Sequence, residues 1–453
     1  MLEFPAVFQS AGYVPCIFCL ALVCVISSVC ATLLCDAMAR MPSNDSFEKR
    51  IEFSDLFLHF LGPKWFVVTQ VAFYLCLLSQ NVAAIVSTAQ VLDSLMASFI
   101  IGRTYALQLS PEVTIIRWSD SDCAADNIGA CVPFSSYSDS LIVSEGYILC
   151  SILFMYFGLL NLEENIFMQI VSFGALVIIT CAFLVCFCFE GDAMTDQSSS
   201  EWSGTQRVPA FGHIWRDCLG VVIFNFAFCV TIPSWVNEKL PGVNINKVIW
   251  SSTISSTLLY AAVGWLGGRA FSDVPDNMLL LLGSRGAVDS ITRFLSLLFG
   301  LTIIGLGIPI FCILMRYNLV VGGVCNNEGG LFFGGIFPWL ISWLVYQGHG
   351  VLELLSWTGL ILNGFIDFFC PALVAFVAAR SAFISLNNNL LPSVHASFIE
   401  RYSGGKVPPT IVNALPQGLQ EHHEMFAIAL GATILAVVGV GMTLKLAGAI
   451  NSD

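Results

Sequence analysis

Asp367 stands in the run Asn363-Gly364-Phe365-Ile366-Asp367-Phe368-Phe369-Cys370-Pro371, sixteen residues past Val351 and thirteen before Arg380. At about 1.5 Å per residue, a helix places it roughly 20 Å from either end of that apolar stretch. An anion so far from water is costly, so a carboxyl there holds or exchanges a proton. That is the chemistry of a proton-coupling site. The alternative is a carboxyl hydrogen-bonded to a neighbouring helix for packing. Asn363 lies one turn earlier and could share its partner.

A second group runs from Phe224 to Leu240, FNFAFCVTIPSWVNEKL. Pro233 lacks a backbone donor and clashes with the preceding turn, so the helix is expected to kink or unwind near Val230 to Ser234. Freed backbone groups at membrane depth are tolerated where they line a cavity, and broken helices of this kind form transporter sites. A proline kink without a ligand is the plainer alternative. A third group is Ser79-Gln80-Asn81 with Ser87, Thr88, Gln90 and Asp93. Asn81, Thr88 and Asp93 fall near one helical face, which suits either an aqueous path or hydrogen bonds between helices. Glu3 is a fourth candidate, near the membrane centre or exposed at the N-terminus. The six histidines are scattered, and no HExxH, GxSxG or GxxxxGK[ST] occurs, so neither an enzyme nor a metal site is expected.

The elements that must hold these residues follow from composition. The 453 residues are 57% hydrophobic and 11% charged, whereas soluble domains carry roughly 45–50% apolar and about 25% charged residues. A net charge of −13 leaves no basic surface for nucleic acid. With about 20 apolar residues per span, ten segments can be marked: 14–39, 65–100, 141–161, 166–189, 213–236, 246–270, 289–316, 330–347, 351–379 and 424–448. The polar connections, about 101–140, 190–212 and 381–423, are too short for a soluble domain, so 1–453 reads as one transmembrane domain. The run from Val14 lacks a basic leader and is too long for a signal peptide's core.

Most of the 17 cysteines lie in apolar runs and act as small hydrophobes. Cys16 and Cys19 form a CxxC with no second pair. Cys123 and Cys131, in the polar 101–140 loop, are either free or disulfide-bonded if that loop faces a non-cytosolic space. Placing Tyr13 outside splits the 18 Lys and Arg ten inside to eight outside, which favours that orientation. The same 101–140 loop then lies outside.

Several stretches resemble one family. Met1 to Pro15, MLEFPAVFQSAGYVP, looks like the first-helix segment of the amino acid/auxin permease (amino acid transporter transmembrane) family, of the amino acid–polyamine–organocation superfamily. Ser79 to Asp93 and Asn225 to Leu240 resemble the third and sixth helices of fungal- and protist-like members, with PSWVNEK the most specific string. Ile308-Pro309 with Arg316-Tyr317-Asn318-Leu319 resembles the end of the eighth, and Asn363 to Pro371 the tenth. The resemblance implies an all-α polytopic membrane protein of leucine-transporter type, with two inverted five-helix repeats plus an eleventh helix.

It also implies a substrate site in the unwound sixth helix (Phe228, Cys229, Val230, Thr231, Ile232), facing Ala6 and Phe8 of the first. Asn81 would line the path; Asp367, read from its mid-span position and standing where similar proteins are expected to carry an amide, is the proton-coupling candidate. The implied activity is secondary active transport of neutral amino acids by alternating access, without a cofactor, across a plasma or vacuolar/lysosomal membrane. Two departures bear on it. The family's Gly-x-Gly break would end just before Met1, so the first helix reads as truncated, and a longer protein is expected. Leu306-Gly307 precede the eighth-helix proline, and the nearest hydroxyl is Thr302, which favours H+ over Na+ as coupling ion. An amino-acid-sensing receptor or an inactive paralogue stays open.

Overall fold

A chain this apolar has to satisfy its own backbone polar groups, and a helix does so within one segment. The computed structural model describes residues 1–119, 133–134, 137, 140–196, 208–213, 216–271, 274, 278–283, 289–346, 359–387, 412 and 423–450. Cys123 and Cys131 lie outside the described residues.

In chain order the helices are α1 (Phe4–Ala11), α2 (Tyr13–Ala39), α3 (Phe53–Leu61), α4 (Pro63–Leu95), α5 (Glu145–Leu159), α6 (Ile166–Asp196), α7 (Arg216–Asn225), α8 (Ile232–Glu238) and α9 (Ile245–Ala270). There follow α10 (Met278–Gly283), α11 (Ser290–Phe299), α12 (Gly307–Val321), α13 (Asn327–Gly330), α14 (Phe337–Leu344), α15 (Cys370–Asn387) and α16 (His423–Ile450). Wide π-turns extend α4 over Met96–Ile100, join α11 to α12, link α13 to α14, and precede α15 over Gly359–Phe369.

Seven described stretches are long and apolar enough to cross a membrane: Tyr13–Ala39, Pro63–Ile100, Ile166–Phe189, Cys218–Glu238, Ser290–Val321, Leu360–Ser381 and Met425–Thr443. The protein is an integral, multi-pass, predominantly helical membrane protein. Three of the ten marked segments differ from these for physical reasons. The 141–161 segment opens as a strand, which leaves a 15-residue helix. α9 forms over 246–270 but carries the run Ser251-Ser252-Thr253-Ile254-Ser255-Ser256-Thr257, which lowers its apolarity. Over 330–347 the helical run opens with the polar Asn327-Glu328 and ends at Leu344, which leaves too short an apolar stretch.

The polar 101–140 connection is more than a loop. Its alternating, β-branched sequence forms β1 (Thr104–Ser110) and β2 (Thr114–Trp118), and β3 (Leu141–Ser144) completes a sheet of order β2-β1-β3. Thr104 pairs with Trp118 and Ala106 with Ser144, both antiparallel. The sheet is a small addition to the helical architecture.

Bilayer tails are as apolar as leucine, so close packing and interhelical hydrogen bonds hold such helices together. The α1–α9 seam depends on both. A Cβ on Gly264 would lie 2.6 Å from the Phe8 ring, and one on Gly267 would lie 2.9 Å from Pro5. Gln9 Nε2 donates to the carbonyls of Gly268 and Phe271 at 2.8 Å, which caps the end of α9. Gly12 turns the chain from α1 into α2 with φ of 91°, and a Cβ there would meet the Gly212 nitrogen at 2.7 Å. Residues 209–212 fill that corner: Tyr13 N–H donates to Pro209 O at 3.0 Å, and Gly212 N–H to Ala11 O at 2.8 Å.

Gly264→Ala is therefore expected to destabilise the fold by about 1–3 kcal/mol through overpacking. Gly174→Ala, in α6 with open space around it, should be neutral or stabilising by up to about 1 kcal/mol. Thermal unfolding of both variants in detergent checks the contrast; equal midpoints would contradict it.

Candidate functional site

α7 stops at Asn225 and the next helix begins at Ile232, with a single 3-10 turn, Cys229–Thr231, between them. The break precedes the position expected from Pro233. The proline sits in the first turn of α8, where its missing N–H is one that no helix would have satisfied. The unwound residues are Phe226 to Phe228, and their backbone groups find partners elsewhere. Ser27 Oγ donates to Phe226 O at 2.8 Å, and Thr231 Oγ1 to Phe228 O at 2.8 Å. Cys229 Sγ donates to Ser27 O at 3.9 Å.

The remaining donors meet a carboxylate. Val230 N–H donates to Asp367 Oδ1 at 3.1 Å, and the Cys229 N–H is a second donor to the same group. Asp367 is fully buried near the end of the π-turn stretch Gly359–Phe369. Its Oδ2 has no hydrogen-bond partner. One turn earlier, Asn363 Oδ1 accepts from Cys76 Sγ at 2.8 Å and from Gln80 Nε2 at 2.9 Å, while Asn363 Nδ2 is unpartnered. Two groups that sequence reasoning found separately, the broken helix and the mid-span aspartate, thus form one constellation with α4.

The other candidates are distributed differently. Phe8 packs its ring on Gly264 of α9, and Ala6 joins the apolar cluster that contains Val263 and Phe183. Both residues pack against α9, and Phe8 also belongs to the buried cluster that holds Val222 and Val230. Just before α1 the Met1 ammonium donates to Asn225 Oδ1 at 2.7 Å, and Glu3 accepts from Asn225 Nδ2 at 3.5 Å. Asn81 faces α12, donating to Cys312 Sγ at 3.2 Å, and its Oδ1 is unpartnered, as is Thr88 Oγ1. The Thr231 hydroxyl is engaged with the backbone, Phe228 is half-buried, and Ile232 is buried at the start of α8. Thr302 Oγ1 donates to Leu298 O at 2.7 Å.

Asp93 faces elsewhere. It accepts from Thr104 Oγ1 at 2.7 Å, Gly146 N–H at 2.9 Å and Tyr346 OH at 2.6 Å, and so ties α4 to the sheet, to α5 and to the end of α14. Both of its oxygens are satisfied. Asp36 pairs with Arg40 at 2.8 Å, and Glu52 is equally well held. Among the described buried carboxylates, Asp367 alone has an oxygen without a partner. An unmet buried acceptor costs about 1–3 kcal/mol, so among these carboxylates its local environment is the least settled.

Glu52 is the residue that sequence reasoning missed. It accepts from Ser234 Oγ at 2.6 Å and from Asn237 Nδ2 at 3.2 Å, and it pairs with Arg50 at 3.5 Å. Asn237 also clasps the Ile51 backbone, donating to its carbonyl at 3.0 Å and accepting from its N–H at 3.2 Å. Arg50 reaches Glu238 at 3.5 Å and lies over the Tyr317 ring at 4.3 Å. The PSWVNEK string is thereby fastened to the segment before α3. A signal was present: Glu52 and Asp55 form a capping box ahead of the apolar run of α3.

Compared with known proteins, the chain matches the family model described as transmembrane amino acid transporter protein over residues 1–116. The match is consistent with an amino acid permease family member and takes in the Met1–Pro15 and Ser79–Asp93 stretches. No curated protein matches the chain.

Burial raises Glu52 above its ordinary value of 4.5, against the opposing effects of Ser234 and Arg50. The folded state therefore binds this proton more tightly than the unfolded chain does. That stabilisation is complete below the ordinary value and is lost as pH rises through the raised one. Glu52→Gln should gain thermal stability relative to the parent as pH rises through this range. A difference in midpoint that stays constant with pH would contradict the assignment.

Proposed function

We propose that this protein is a secondary active transporter of neutral amino acids, coupled to protons and working by alternating access. The carrying observation is the unmet Asp367 carboxylate seated on the backbone of a broken helix. Backbone groups freed by such a break suit the charged ends of an amino acid, and a carboxyl without a cation partner suits proton exchange. The apolar neighbours Phe228, Val230 and Ile232 favour an uncharged side chain. The match to a transmembrane amino acid transporter family supports the same reading.

The leucine-transporter-type arrangement gives the parts their roles. α7 and α8 are the two halves of its sixth helix, Gly12 lies at the outer end, and Glu52 at the inner one. The Glu52–Asn237–Arg50 clasp then holds the inner half-helix shut, and it has to part for release to the cytosol. Hydrogen bonds to charged groups are worth about 1.5–3 kcal/mol each, a scale that thermal motion and ligand binding together overcome. The membrane is a plasma or vacuolar/lysosomal one.

Reconstituted into liposomes, the protein should accumulate labelled neutral amino acids when the outside is more acidic, and a protonophore should abolish the accumulation. Asp367→Asn should still bind amino acid but no longer accumulate it in response to the gradient. Uptake by the parent that ignores the pH gradient would refute proton coupling, and absence of any uptake would refute transport.

A further inference from the structure

Two N–H groups converging on one carboxylate is a recognition pattern for carboxylates in general, whichever molecule carries them. Here the pair is Cys229 N–H and Val230 N–H, and the carboxylate is the protein's own Asp367. The fit is incomplete. Asp367 Oδ2, fully buried, is unpartnered, and so is Asn363 Nδ2 one turn away. Asn363 cannot turn to help, because Gln80 and Cys76 hold its oxygen. The seat therefore suits an anion better than its present occupant suits the seat.

We propose that the Cys229–Val230 amide pair is a shared carboxylate seat, held by ionised Asp367 and yielded to the carboxylate of the transported amino acid when Asp367 takes up a proton. The proposal rests on the amino acid transport reading and adds how proton and substrate are linked. The exchange balances: one carboxylate leaves the amides, another arrives, and one proton ends on Asp367. Burying an additional unpaired anion, which would cost several kcal/mol, is avoided. Among the described residues the titratable groups facing Asp367 are thiols: Cys30 from α2, Cys76 from α4, Cys229 from the break and Cys370 on its own helix. Among the described residues no Lys or Arg is ion-paired with it. The proton is therefore the cation that neutralises Asp367 during the exchange.

Leucine and its decarboxylated counterpart, isopentylamine, test the seat on the full-length reconstituted protein. Leucine binding by the parent should weaken about tenfold per unit rise in pH once Asp367 is ionised, as one linked proton requires. Isopentylamine should show no such slope. Asp367→Asn, a near-isosteric variant, should bind leucine with no pH dependence. A full slope retained in Asp367→Asn, or an equal slope for the amine, overturns the seat and leaves transport standing. If the parent binds and transports no amino acid at all, the transport reading fails, and amide hydrogen exchange decides the seat separately. The Cys229 and Val230 amides of the parent should exchange at least about tenfold more slowly than in Asp367→Ala, the loss expected when a charge-assisted bond is removed; equal rates overturn it.

Discussion

A carboxylate enclosed by protein and lipid, with no cation against it, is the constraint from which the centre of this molecule follows. Its effective desolvation penalty is several kcal/mol, and amide donors are the compensation the fold provides. Those donors exist because α7 ends at Asn225 and α8 begins at Ile232. A continuous helix would have used the same N–H groups internally. The break and the charge are thus each other's remedy. The surrounding contacts keep them aligned: Ser27 on the Phe226 carbonyl, Thr231 on Phe228, and Cys76 with Gln80 on Asn363.

The two ends of the helix array are built differently from this centre. Asp93 has both oxygens satisfied by a threonine, a tyrosine and a backbone amide. Glu52 is held by Ser234, Asn237 and Arg50. Fully connected polar networks in low dielectric are rigid, whereas a half-satisfied one is unstable towards any better partner. A well-held clasp at Glu52 that opens as a unit, beside an unsettled middle, is what an element needs if it is to bind a polar ligand and then release it.

Much of this was legible in the sequence because lipid makes polar residues conspicuous. Asp367, Asn363, Pro233 and Asn81 stand out against apolar neighbours, and helix boundaries such as Tyr13–Ala39 and His423–Ile450 fall within a few residues of the hydropathy pattern. Partners were not legible. Nothing local to Asp367 indicates that Val230, 137 positions away, supplies its donor. Glu52 does not stand out in the sequence, because its burial depends on α8 folding back over it. Pro233 marked the break but not its place, since a proline is as well accommodated in a helix's first turn as it is damaging inside one. The small sheet was hidden in a segment judged by its polarity, although Tyr105, Leu107, Ile115 and Ile116 supply strand-forming residues. The resemblance gives Phe8 a place at the substrate site; its ring rests on Gly264 of α9 and shares a buried cluster with Cys229 and Val230.

One proton should enter the protein with each ligand carboxylate. Isothermal titration of an amino acid into the purified protein, repeated in buffers of different ionisation enthalpy, measures this directly. The observed heat should vary linearly with buffer ionisation enthalpy, with a slope that approaches one proton taken up per ligand above the pH where Asp367 ionises. The slope should be absent in Asp367→Asn. Saturable binding with the same heat in every buffer would contradict it.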